Sequence, residues 1–98
     1  MPKTHNNIPA TLLVADTAVG LSSWGFTAAQ IAGAQSLVIT ADQPIRYLTS
    51  GTPTTTFGHI IPADESFELK GDIASVLIIR ETATSANVTL ELDTFEEV

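Results

Sequence analysis

Cysteine is absent from this chain of 98 residues, which removes disulfides, thiolate metal sites and thiol nucleophiles together. Basic side chains are scarce: four lysines and arginines stand against eleven aspartates and glutamates, for a net charge of −7. Binding to a phosphate backbone depends on clustered lysine and arginine, so no nucleic-acid partner is expected. Such an acidic balance suits a particle surface or a soluble binding module, and it also serves plain solubility. No apolar run approaches the roughly 20 residues of a membrane span, so no membrane partner is expected. The N-terminus does not read as a secretory signal, because Lys3 is followed by the polar Thr4-His5-Asn6-Asn7. Histidine occurs only at His5 and His59, and neither has the neighbours that a catalytic or metal site requires. Aromatics are few, with Trp24, Tyr47 and four phenylalanines, and most are needed for a core. No catalytic, cofactor-binding or metal-binding residue is assigned, and the chain is expected not to be an enzyme.

What is present is β patterning. In residues 37–61, Leu37, Ile39 and Ala41 alternate with Val38 and Thr40, Asp42-Gln43-Pro44 breaks the run, and Ile45, Tyr47 and Thr49 resume it. Ser50-Gly51-Thr52-Pro53 then makes a turn, combining a residue free to take positive φ with one whose φ is fixed. Another strand is expected from Phe57 to Ile61. Beyond it, Ser66 to Lys70 places Phe67 and Leu69 on one face, and Gly71-Asp72 turns. A strand from Ile73 to Glu81 is apolar on both faces, as a central strand or one at a subunit contact is. Residues 82–86 close a hairpin, and a last strand over 87–94 points Val88, Leu90 and Leu92 inward.

The first third is less regular. Residues 1–9 are polar, carry proline near each end and show no periodicity, so they read as a flexible arm able to reach about 30 Å when extended. Residues 11–15 are a first strand or the anchor of that arm. From Trp24 the alternation through Phe26 and Ala28 predicts a half-buried strand ending near Ile31. A helix over residues 27–34 competes with it, interrupted by Gly33 and too short to hold on propensity alone. The fold class expected is all-β: an antiparallel β-sandwich or jelly-roll-like barrel of about seven or eight short strands, with an extended N-terminal arm. The domain itself spans residues 10–98, enough for one core.

Individual charges are mostly bland. Asp64-Glu65 and Glu96-Glu97 read as a solvated turn and a tail, since adjacent residues of a strand face opposite ways. Asn87-Val88-Thr89 matches a glycosylation sequon by accident. His59 is expected to be a hydrogen-bonded structural residue. Arg46 and Arg80 each follow an isoleucine within an apolar strand, so each needs a carboxylate or carbonyl partner, a sheet edge or a facing subunit. A buried or interfacial pair with a carboxylate is the structural expectation; reading an acidic partner surface is the functional one.

The ordered set Ile45-Arg46-Tyr47, Gly51-Thr52-Pro53-Thr54, Gly58-His59 and Ile79-Arg80, with a final alternating strand ending near an aromatic, resembles a family of small β-sandwich structural proteins of tailed bacteriophages and prophages. The resemblance covers roughly residues 36–95. The chain departs from that pattern at Leu48-Thr49-Ser50 and in the acidic tail after Phe95. It implies a virion component, with Arg46, Tyr47, Gly51, Pro53, Gly58, His59 and Arg80 as structural determinants. The specific expectation is a capsid decoration, or cement, protein that binds the outer surface of the head and reinforces contacts between subunits of the major capsid protein. A homo-oligomer is expected, a trimer favoured. In this reading His5, Asn6, Asn7, Ile8, Leu12 and Leu13 of the arm contact the shell. A tail or head-to-tail connector component and a carbohydrate-binding module on a fibre are the alternatives.

Overall fold

Eight strands follow one another as β1 (Lys3–Val14), β2 (Val19–Gly20), β3 (Ala34–Ala41), β4 (Ile45–Leu48), β5 (His59–Ile61), β6 (Ser66–Lys70), β7 (Leu77–Arg80) and β8 (Ala86–Glu97). The computed structural model describes residues 3–81 and 84–97, with backbone alone for 3–6 and 95–97. Strand β4 pairs with β5, β3 with β6, β2 with β7 and β1 with β8, all antiparallel. The chain is therefore doubled back at residues 49–58 into one long ribbon. Its segments alternate between two sheets, β1-β8-β3-β6 and β2-β7-β4-β5, closed by the pairings β3–β8 and β4–β7. This is the winding of an eight-stranded jelly roll. It is the all-β sandwich that the alternation predicts.

Period-two alternation builds the core. Leu37, Ile39 and Ala41 of β3 and Val88, Leu90 and Leu92 of β8 face inward and are buried, meeting Ile45, Ile61 and Ile78 of the opposite sheet. Trp24 is also buried, and its indole Nε1 donates to the Val88 carbonyl oxygen at 3.0 Å, so the one polar atom of a large apolar ring is satisfied.

Four elements differ from the sequence reading. Residues 3–9, expected to be a free arm, form the first part of β1, whose register with β8 runs unbroken from Lys3↔Glu97 to Val14↔Ala86. The reason lies in the side chains from Ile8 on: Ile8, Ala10, Leu12 and Val14 pack on the core at every second position. The strand expected from Trp24 to Ile31 is instead a 3-10 turn, Leu21–Trp24, and a short helix, α1 (Ala28–Ala32). Local bonds decide this. The Thr27 hydroxyl accepts from the Gln30 N–H at 3.1 Å, and the Gln30 side chain accepts from the Thr27 N–H at 2.9 Å. This reciprocal capping box starts the helix, and buried Thr94 of β8 donates to the Gln30 carbonyl oxygen at 2.9 Å. The strand expected from Ile73 begins only at Leu77. Gly71 and Asp72, at φ 81° and 53°, lead instead into a 3-10 turn over Ile73–Ser75. The strand expected from Phe57 likewise begins at His59. Of the hairpin expected at 82–86, residues 82 and 83 lie outside the described residues.

Asp42 locks the end of β3 to the start of β8. Its Oδ1 accepts from the Asn87 backbone N–H at 2.7 Å and its Oδ2 from the Asn87 side chain at 3.0 Å, while its own N–H donates to the Asn87 carbonyl oxygen at 3.2 Å. These bonds to the ionised carboxylate hold the Asp42 pKa below the ordinary 3.8. A lowered folded-state pKa means stability that is present above 3.8 and lost as pH falls through the folded value. The melting temperature of Asp42→Asn is expected to fall below wild type at neutral pH, and the gap to narrow in acid below that range. Equal gaps at both pH values in parallel thermal melts count against the carboxylate's role.

Candidate interaction surface

The turn that doubles the ribbon back is laid over the outer face of the second sheet and fastened there by Arg46. Ile45 lies in the core and Tyr47 packs against it, so Arg46 between them points outward. Its Nε donates to the Thr55 carbonyl oxygen at 3.1 Å and its Nη1 to that of Gly58 at 2.9 Å, while Nη2 lies 3.6 Å from Glu81 Oε1. One guanidinium thus serves two loop carbonyls and one carboxylate, a fan of planar donors that lysine does not have. Pro53 is fully buried beneath the loop, and Gly51 takes φ 95° at its corner. Thr54 and Phe57 exchange backbone hydrogen bonds at 2.9 and 3.2 Å, making a tight bridge at the tip.

Six of the motif residues, Arg46, Tyr47, Gly51, Pro53, Gly58 and His59, are thereby gathered into one unit. Tyr47 sits on the inner side, its ring 5.2 Å from His59 and 5.3 Å from Phe67 of the other sheet, and burial raises its hydroxyl above the usual 10.0. His59 itself is exposed and makes this ring contact in place of the expected hydrogen bond.

The seventh, Arg80, lies apart. It stands opposite Ile45 in the ladder; its Nη1 is 3.5 Å from Ser85 Oγ, and its Nε is buried without a hydrogen-bond partner among the described residues. The carboxylate expected beside it is not found among those residues. Glu81, next along the chain, turns to Arg46 instead, because adjacent strand residues face opposite ways. Among the described residues, therefore, replacing Arg80 strands no buried anion. Arg80→Met, which keeps an unbranched stem, is expected to match wild type or gain up to about 1 kcal/mol in urea denaturation. A loss of several kcal/mol would show a buried partner charge.

The residues expected to meet a partner from the arm divide by face. Ile8 and Leu12 pack on this protein's own core, whereas Leu13 is 60% exposed on the outer face of the first sheet. Asn7 is taken up within the sheet, its side-chain amide donating to Glu91 Oε1. His5 and Asn6 lie in β1, and their side chains are outside the described residues. Most of the rest of that outer face is polar, with Pro9 and half-buried Val38 among its hydroxyls and charges. A row of hydroxyls, Thr11, Thr89, Thr40 and Ser66, crosses all four strands, with Thr11 to Thr89 and Thr40 to Ser66 at 3.0 Å.

The sequence reading did not single out Phe57 and Ile60. They are 63% and 51% exposed, and with Leu13 they are the large apolar side chains left open to solvent among the described residues. Both fall in a charge-free stretch, residues 47–63. The longer charge-free stretch, residues 17–41, leaves no such side chain exposed. Among the described residues there is no pocket and no cluster of three or more histidine, aspartate or glutamate side chains, and no helix is long and apolar enough to cross a membrane. No protein-family model, curated protein or solved structure matches this chain.

Proposed function

We propose that this protein is a structural component of a tailed-phage virion, a decoration protein bound to the outside of the head, where it reinforces contacts between subunits of the major capsid protein. The observation that carries the reading is the Arg46 unit: six residues of the phage-like motif, all within residues 46–59, hold one hairpin loop on one sheet. Their arrangement serves shape rather than chemistry. The jelly roll is shared by viral capsid proteins, lectins and cupins, so the fold alone does not choose among them. Trp24 and Phe26 are core residues, which leaves Phe57 as the one strongly exposed phenylalanine, tyrosine or tryptophan among the described residues and weighs against a carbohydrate module, since such a site usually stacks on several.

Shell contact is assigned to β1. This edge strand contains no acidic residue, in a chain of net charge −7, so it adds no repulsion of its own toward a shell whose exterior is acidic. Leu13 supplies exposed apolar area, and His5 and Asn6 extend the strand toward the shell. The test is co-sedimentation with undecorated heads. Wild type is expected to saturate them, more tightly at moderate salt than at low salt, and Leu13→Asp to lose occupancy with its melting temperature unchanged. Failure of wild type to bind heads, or binding to isolated tails instead, overturns the head assignment.

A further inference from the structure

We infer that the protein pairs with a second copy of itself through β5 and the adjoining loop, across a two-fold axis near Ile60. The inference stands apart from the phage reading. Four strands lie at sheet edges, and three are ill suited to pairing: β1 carries Pro9, β6 carries Glu68 and Lys70, and β2 has only two residues. Strand β5, His59-Ile60-Ile61, has neither a proline nor a charge. It pairs with β4 on one side only.

A second copy suits this edge because it brings to the contact the same charge-free strand, paired on one side only. Two bodies of net charge −7 repel, and they approach most closely where neither carries charge. The nearest charged pair on this face, Arg46 and Glu81, is internally neutralised. Antiparallel pairing of β5 with its copy sets Ile60 opposite Ile60 of the second molecule, since the pairing is isologous and Ile60 is the middle residue of the strand. The two four-stranded sheets then become one sheet of eight strands, with Phe57 flanking the joint. The surface is already rigid: Pro53 is buried, Arg46 holds the loop at two carbonyls and the Thr54–Phe57 bridge closes its tip. Little ordering entropy opposes association. Because β5 and β1 border opposite sides of the sandwich, with β1 next to β7 and β6 facing Tyr47 of β4, the neighbour of β5, the pairing leaves β1 open. The product is a dimer, in place of the trimer favoured by the sequence reading.

Sedimentation of the purified full chain over a range of concentrations tests this directly. A reversible dimer is expected, tightening as salt screens the net charge. Ile60→Asp and Phe57→Ser are each expected to weaken it about tenfold or more, with unchanged circular dichroism and melting temperature, since both side chains are exposed. Leu13→Asp, on the opposite side, should leave the dimer intact. A monomer at every concentration, a trimer, or a dimer broken by Leu13→Asp and not by Ile60→Asp overturns the inference. Because no heads are present, failure here is separate from failure of the decoration role.

Discussion

Deleting residues 1–9 is expected to destabilise the whole sandwich by about 3–6 kcal/mol, a large share of the roughly 5–15 kcal/mol that holds a domain of this size. Were these residues a free arm, the deletion would be silent. Instead it removes seven of the twelve register pairs between β1 and β8, those from Lys3 to Pro9, and strips Ile8 from its place opposite fully buried Leu92. The C-terminal half of β8, residues 91–97, then becomes an open edge whose backbone groups lose their partners. Urea denaturation followed by circular dichroism reads the effect, with a lower midpoint and a broadened transition expected. An unchanged midpoint would return residues 1–9 to the status of an arm. Because the deletion damages the fold, it is also unfit to test partner binding, for which a single outward side chain such as Leu13 is the proper target.

Gly58→Ala is expected to cost about 3–5 kcal/mol, although Gly58 lies in a surface loop where substitutions are usually worth less than about 0.5 kcal/mol. Two independent terms add. Its φ of 134° lies in territory that residues with a Cβ rarely occupy. A Cβ there would also stand 3.2 Å from both Pro53 Cβ and the Tyr47 carbonyl oxygen, and 3.3 Å from Arg46 Cβ. Neither backbone nor a buried proline ring gives way readily, so the loop must lift and the two Arg46 hydrogen bonds with it. Gly51→Ala is the control: its φ of 95° is similarly strained, but nothing lies within 4 Å of the added carbon. The difference between the two variants in thermal melts isolates close packing from backbone strain. Equal losses would mean that packing around Gly58 contributes nothing.

The strands legible in advance were those with an inward-facing side chain at every second position. In β3, Leu37, Ile39 and Ala41, and in β8, Val88, Leu90 and Leu92, the pattern itself states which face is buried, because the side-chain period of a strand is two. The turns at Gly51 and at Gly71-Asp72 were legible for a related reason, since few residues accept positive φ. The capping box at Thr27 and Gln30 was also written in the sequence, at the spacing that lets each side chain reach the other's backbone, but the competing helix over residues 27–34 was weighed on its propensity, its length and Gly33, without this cap.

Residues 3–9 were not legible as strand because their partner, the end of β8, lies more than 80 residues away, and Asn6, Asn7 and Pro9 carry no β signal of their own. Arg46 and Arg80 looked alike, each following an isoleucine, yet one faces outward onto carbonyls and the other stands opposite Ile45 at the end of the core. Local sequence holds the period of each strand and the places where the chain turns. It does not hold the order in which strands pair or the loop that a given guanidinium meets. Those were decided by the doubled ribbon winding into two sheets, because a jelly roll joins residues far apart in the chain, and only that closure determines which edges and side chains remain open to a partner.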